Sequence, residues 1–144
     1  MGIQLTANYS GAPTLDGSSF MLFKIRSRLA KVWDQEFGEH YSNLLDAFRN
    51  NTLEAFDRRT TVILEAPRFA SDADIADFMF MSDCEGKVNY KTCKKLAMLL
   101  KILLETEDLS QVTLRYAAYS QNDWQDLLAL FQGCYSHRAA LRWY

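Results

Sequence analysis

The stretch from Asn89 to about Glu105 is the strongest constraint on how this chain can fold. Cys93, Leu96, Ala97, Leu100, Leu103 and Leu104 recur at helical spacing along one stripe, and Met98, Leu99 and Ile102 widen it. Asn89 is a natural N-cap for such a helix. A helix apolar over this much of its circumference belongs at the centre of a core, with other elements packed around it. The chain can supply them: it has 144 residues, 49% of them hydrophobic and 13% aromatic. A chain of this size buries roughly 70% of its unfolded surface. With 24% charged residues and a net charge of −2, neither intrinsic disorder nor a globally basic field is supported, so a nucleic-acid partner is disfavoured.

Around that helix the pattern is mixed. Ile3, Leu5 and Ala7 alternate with Gln4, Thr6 and Asn8, which predicts a short N-terminal strand. Ser10 to Gly17 reads as a loop. A helix starting near Ser18 or Ser19 carries Phe20, Phe23, Leu29, Ala30, Trp33 and Phe37, with Gly38 as its stop and Lys24, Arg26, Arg28 and Lys31 in between. A second amphipathic segment carries Tyr41, Leu44, Leu45 and Phe48, and Asn51 with Glu54 suggests a capping box for a further turn to Phe56. Thr60 to Ala66, rich in β-branched residues and closed by Pro67, predicts a second strand.

Ser71 and Asp74 form a capping box for a short helix through Ile75, Phe78 and Met79. Val112, Leu114, Tyr116 and Ala118 alternate, and residues 111–119 fit a strand or an irregular helix. Ser120 and Asp123 then open a helix with Trp124, Leu127, Leu128, Phe131 and Cys134, and Leu141 to Tyr144 reads as a terminal strand. The expectation is one compact α+β domain over residues 1–144. It is predominantly helical, with a small antiparallel sheet of N-terminal, central and C-terminal short strands.

Residues 1–13 have neither a basic cluster nor an apolar core of the kind a secretory signal needs, and the longest apolar run, Leu96 to Leu100, is far shorter than a membrane span. Three cysteines, an odd count with no close pair, argue against a disulfide framework and predict a reducing, cytoplasmic setting. Residues 1–6 fit a myristoylation pattern, but the first basic residue is Lys24, so a second membrane signal is missing. No membrane association is expected.

The most distinctive local feature is Met81-Ser82-Asp83-Cys84-Glu85-Gly86-Lys87-Val88, an acidic turn with a glycine between two helices. This is the outline of a calcium-binding loop. Placing Gly86 at the sixth position puts Met81 first and Thr92 twelfth, where acidic ligands belong. Asp83 and Glu85 alone cannot replace the shell of about six to eight oxygens that calcium takes, so a tight turn is the better reading. The segment resembles the Ser-Asp-Cys-Asp-Gly motif of a small family of bacterial and phage-associated proteins, in which a helix with a second cysteine follows, matched here by Cys93. Phe20-x-x-Phe23 with Arg26, Leu29 and Ala30 resembles that family's first helix, and Trp124, Phe131 and Leu141-Arg142-Trp143 its last helix and strand. Thr92 stands where members often carry an acidic residue. The resemblance implies the fold and the biological setting, and it implies no activity.

Other constellations are weaker. Cys84, Cys93, Cys134 and His137 form a nominal zinc set, yet the gap between Cys84 and Cys93 is too open for paired ligands. Only His40 and His137 are ordinary general bases near neutral pH, and no nucleophile elbow, metalloprotease helix or phosphate-binding loop is present. Catalysis is unsupported, and no cofactor is expected. Charge is segregated: Asp72, Asp74, Asp77, Asp83 and Glu85 precede Lys87, Lys91, Lys94, Lys95 and Lys101. A solvated face accounts for such a run, and a bipolar surface for a charged protein partner is its functional counterpart. The leading expectation is a non-enzymatic interaction protein using Asp83, Glu85, Lys87, Lys91, Lys94 and Lys95, like an immunity protein, an antitoxin or a phage-borne inhibitor. A metal-binding protein centred on Asp83 to Gly86 is the alternative, and a small-molecule enzyme the third.

Overall fold

A computed structural model describes residues 2–116 and 122–144. In chain order these form β1 (Gly2–Ala7), β2 (Leu15–Ser18), α1 (Phe20–Trp33), α2 (Gln35–Tyr41), α3 (Leu44–Arg49) and α4 (Leu53–Leu64). A 3-10 turn (Pro67–Phe69) leads into α5 (Ala73–Phe80), β3 (Gly86–Val88), α6 (Tyr90–Thr106), α7 (Asp123–His137) and β4 (Leu141–Trp143). The architecture is α+β, with helices packed on a small antiparallel sheet of order β2-β1-β4-β3. Helix α6 lies against both α1 and α7, as its apolar stripe requires, and Asn89 caps it by accepting the Lys91 N–H at 2.7 Å.

Leu5 pairs with Trp143, and Leu141 with both Ala7 and Val88. Because side chains alternate along a strand, this register puts Ile3, Leu5, Leu15, Val88, Leu141 and Trp143 together on the buried face. Beneath α1 and α2, Trp33, Phe37, Tyr41, Phe69 and Phe80 make an aromatic cluster with edge-on and stacked contacts of 4.9–5.9 Å.

Several local expectations are overturned. Thr60 to Ala66 is not a strand. Most of it is the second half of α4, where Phe56, Thr60 and Ile63 are buried at helical spacing. The Thr60 and Thr61 hydroxyls donate to the carbonyls of Phe56 and Asp57, which satisfies the threonines inside a helix and lets tertiary burial outweigh β-propensity. The strand in the middle of the chain is instead β3, within the acidic turn itself and at one edge of the sheet. Gly38 is not a helix stop but stands inside α2. The chain breaks earlier, at Asp34, whose backbone is extended and whose carboxylate accepts the Phe37 N–H at 2.9 Å. Gly38 is needed for packing: a Cβ there would stand 2.5 Å from the Lys31 Cα.

The region read as a loop to Gly17 contains β2, where Gly17 pairs with Ile3 and lies under the Leu114 carbonyl. Neither Asn51 nor Ser71 caps a helix. Thr52 and Asp72 hold the cap positions, and Asn51 is left-handed at φ 55°. Residues 112–116 are neither strand nor helix. They are pinned by Asp123, whose Oδ2 accepts the Leu114 and Arg115 N–H groups at 2.7 and 3.0 Å. Ala118 and Ser120 lie outside the described residues, and Asn122 occupies the cap position of α7. Among the described residues no helix is long and apolar enough to cross a membrane.

Candidate functional site

The Met81–Val88 turn is bound into the fold through Met81, Ser82, Asp83, Gly86 and Val88, while Cys84 and Glu85 are exposed. Asp83 pairs with Arg26 of α1, with Oδ1 at 2.6 Å from Nη1. The Arg26 side chain is 3% exposed and that of Asp83 59%, so the cation is interior and its counter-ion stands at the surface. Nη2 of Arg26 donates to the Met81 carbonyl at 2.9 Å, and the guanidinium lies 5.2 and 5.8 Å from the Phe78 and Trp143 ring centroids. Burial lowers the Arg26 pKa against the opposing pull of Tyr41 and Asp83. Among the described residues the Nε–H of Arg26 has no hydrogen-bond acceptor.

The rest of the motif serves the same junction. Ser82 accepts the Cys84 N–H through Oγ, and the Trp143 indole N–H through its carbonyl at 2.9 Å. A side chain at Gly86 would run into the Trp143 ring, so the glycine permits a close approach between β3 and β4. Val88 then enters the sheet core. The motif therefore joins α1, the turn and the last strand.

The charge segregation resolves asymmetrically. Lys95 folds back onto the acidic segment, with Nζ at 3.3 Å from Asp72 and 2.9 Å from Asp74. Burial acts to raise the Asp74 carboxyl, but hydrogen bonds from Lys95 and Thr92 outweigh it and hold the group below its ordinary range. Asp77, Glu85, Lys87, Lys91, Lys94 and Lys101 are exposed and enter no ion pair among the described residues. Three of the five acids are thus matched within the chain, against one of the five lysines. On the outside of α6, Lys91, Lys94 and Lys101 share a face with Met98 and Ile102, which are 59% and 47% exposed. The Lys94 ammonium lies 5.0 Å from the ring centroid of Tyr135 on α7, extending this face across the helix pair.

A second feature opens beside the Asp83 turn: a cleft of about 480 Å³ between α1, α3 and the end of α5. Phe23, Leu44, Leu45 and Leu53 line it, together with the exposed rings of Phe20, Phe48 and Phe80. Arg26, Tyr41 and Asp83 also contribute to its lining. The Tyr41 hydroxyl donates to the Met79 carbonyl at 2.8 Å, and burial raises its pKa so that it stays protonated. This cleft was not foreseen. Its one sequence signal is Arg26 itself, a charged residue at i+4 from Leu22 and i−3 from Leu29 on the buried stripe of α1.

The nominal zinc ligands are not assembled. Cys93 and Cys134 face each other between α6 and α7, and the Cys93 thiol is raised by that neighbour and by burial. Cys84 is exposed on the turn, and His137 stacks on Tyr9 at 4.5 Å. Among the described residues no group of three or more His, Cys, Asp or Glu side chains is placed to hold a metal. His40 lines a shallow depression of about 320 Å³ with Asp46 and Arg59, but its Nε2 is 2.8 Å from the Thr60 hydroxyl and its ring stacks on Phe56. No family model matches the chain, and no curated protein or solved structure matches it either.

Proposed function

We propose that this protein is a non-enzymatic interaction module whose outer α6 face docks an acidic amphipathic helix of a partner protein. The carrying observation is the composition of that face. Lys91, Lys94 and Lys101 surround the exposed Met98 and Ile102, and Tyr135 adjoins them. Large apolar groups left in water beside unmatched cations favour a partner that covers the first and neutralises the second. Lys87 and Glu85, both exposed, precede α6 in the chain. Asp83 and Lys95 contribute from within, by holding the turn and the α5–α6 pair in place. An immunity protein, an antitoxin or a phage-borne inhibitor would use such a surface, and a cytoplasmic setting would keep Cys84, Cys93 and Cys134 reduced.

The test is site-specific photocrosslinking in the native host from position 98, with the exposed position 57 on α4 as the control. A stoichiometric adduct with one protein is expected at position 98. Affinity for that purified protein should fall about tenfold or more in a Lys91→Glu/Lys94→Glu variant and weaken with salt. Equal labelling at both positions, or an affinity indifferent to the charge reversal, would overturn the reading.

A further inference from the structure

The cleft beside the Asp83 turn is a separate matter from the α6 face, and different residues build it. Its wall is mostly apolar, which suits a hydrocarbon chain, and its polar members are Ser19, Arg26, Tyr41, Ser82 and Asp83. Among these, Arg26 is only 2% exposed and carries an Nε–H with no acceptor among the described residues. A guanidinium has five donor hydrogens in a planar fork and favours two-point contact with a carboxylate. Here it receives one carboxylate oxygen, from Asp83 at 2.6 Å, and one backbone carbonyl, from Met81. The Asp83 carboxylate is more than half in water, so its release to solvent costs little desolvation energy.

We infer that the cleft binds a free medium-chain carboxylate, such as a fatty acid, whose head group replaces Asp83 on Arg26 while its chain lies among Phe20, Phe23, Leu44 and Phe48. The exchange leaves the buried cation matched at every stage: one carboxylate leaves the guanidinium as another arrives. The exposed rings of Phe20, Phe48 and Phe80 then lie beside an apolar chain instead of water. Asp83 acts as the resident counter-ion of Arg26, and the ligand competes with it.

The experiment titrates the purified protein with decanoate, decan-1-ol and a short peptide ending in Leu-Leu-Phe with a free C-terminal carboxylate. Intrinsic fluorescence of Trp143, which adjoins Arg26, is followed together with calorimetry. Decanoate should bind about tenfold or more tightly than decan-1-ol, because only the acid makes a charge-assisted contact. Arg26→Met, whose side chain can pack between Phe78 and Trp143, should erase that preference. Asp83→Asn should strengthen decanoate binding by removing the competitor, a change that a purely structural role for Asp83 would not produce, and this variant tests the inference even if Arg26→Met does not fold. Equal affinity for acid and alcohol, unchanged or weakened decanoate binding by Asp83→Asn, or binding of the peptide without the free acid would overturn it.

Discussion

The cleft and the outer face of α6 both leave large apolar side chains exposed, but they meet charge in opposite ways. In the cleft a single arginine is drawn almost completely out of water and held by Asp83, by a carbonyl and by two aromatic rings. On α6, Lys91, Lys94 and Lys101 stand in solvent, and among the described residues Lys95 alone of the four lysines enters an ion pair. A buried cation needs its partners fixed by the fold, whereas an exposed one is solvated and asks nothing of its neighbours. The cleft side is therefore joined to the core, and the α6 face is free to change.

The sharpest way to break that contrast is to disturb the cleft side. Trp143→Ala removes a fully buried ring, the support under Gly86 and the donor to Ser82, and should cost about 3–5 kcal/mol in urea denaturation. Gly38→Ala forces a methyl group against the α1 backbone at Lys31 and should cost about 1–3 kcal/mol. By contrast, Lys91→Glu with Lys94→Glu should leave stability within about 0.5 kcal/mol, since both side chains are exposed and unmatched. A large loss there would mean that the α6 face is structural after all.

Two titrating groups sharpen the comparison through pH. Burial, and then the nearby Arg59, lower the His40 imidazole below its ordinary value. The unfolded chain therefore takes up this proton first. The His40 contribution is complete above the ordinary histidine value of about 6.5 and is lost as pH falls through the lower folded value. Asp74, held below its ordinary range, contributes above about pH 4 and loses that contribution as pH falls further. A pH series of urea midpoints should show the first decline flattened in His40→Gln and the second in Asp74→Asn. An unchanged profile in either variant would contradict the assignment.

Much of the framework was legible because it rests on local periodicity. The Asn89 cap, the α6 stripe, α7 and the strands at both ends follow from spacing alone. Thr60 to Ala66 misled because its residue types favour strands, while its burial depends on what α4 packs against. Gly17 and Gly38 were read as breakers, yet each stands inside an element where another segment comes too close for a side chain. Arg26 and Asp83 are 57 residues apart, so neither could be read as half of a pair, although a lone arginine on a buried stripe was a visible anomaly. The acidic and basic runs were plain in the sequence, but which charges cancel within the fold was not.

The central claim is that the Asp83 turn is held to α1 by its pairing with Arg26. A double-mutant cycle with Arg26→Met and Asp83→Asn, read by urea denaturation, tests it most directly. The account predicts that Asp83→Asn destabilises the protein when Arg26 is present and has little effect when it is absent, with a coupling of about 1 kcal/mol or more. Additive effects, with a coupling below about 0.3 kcal/mol, would show that the two groups are neighbours without being partners.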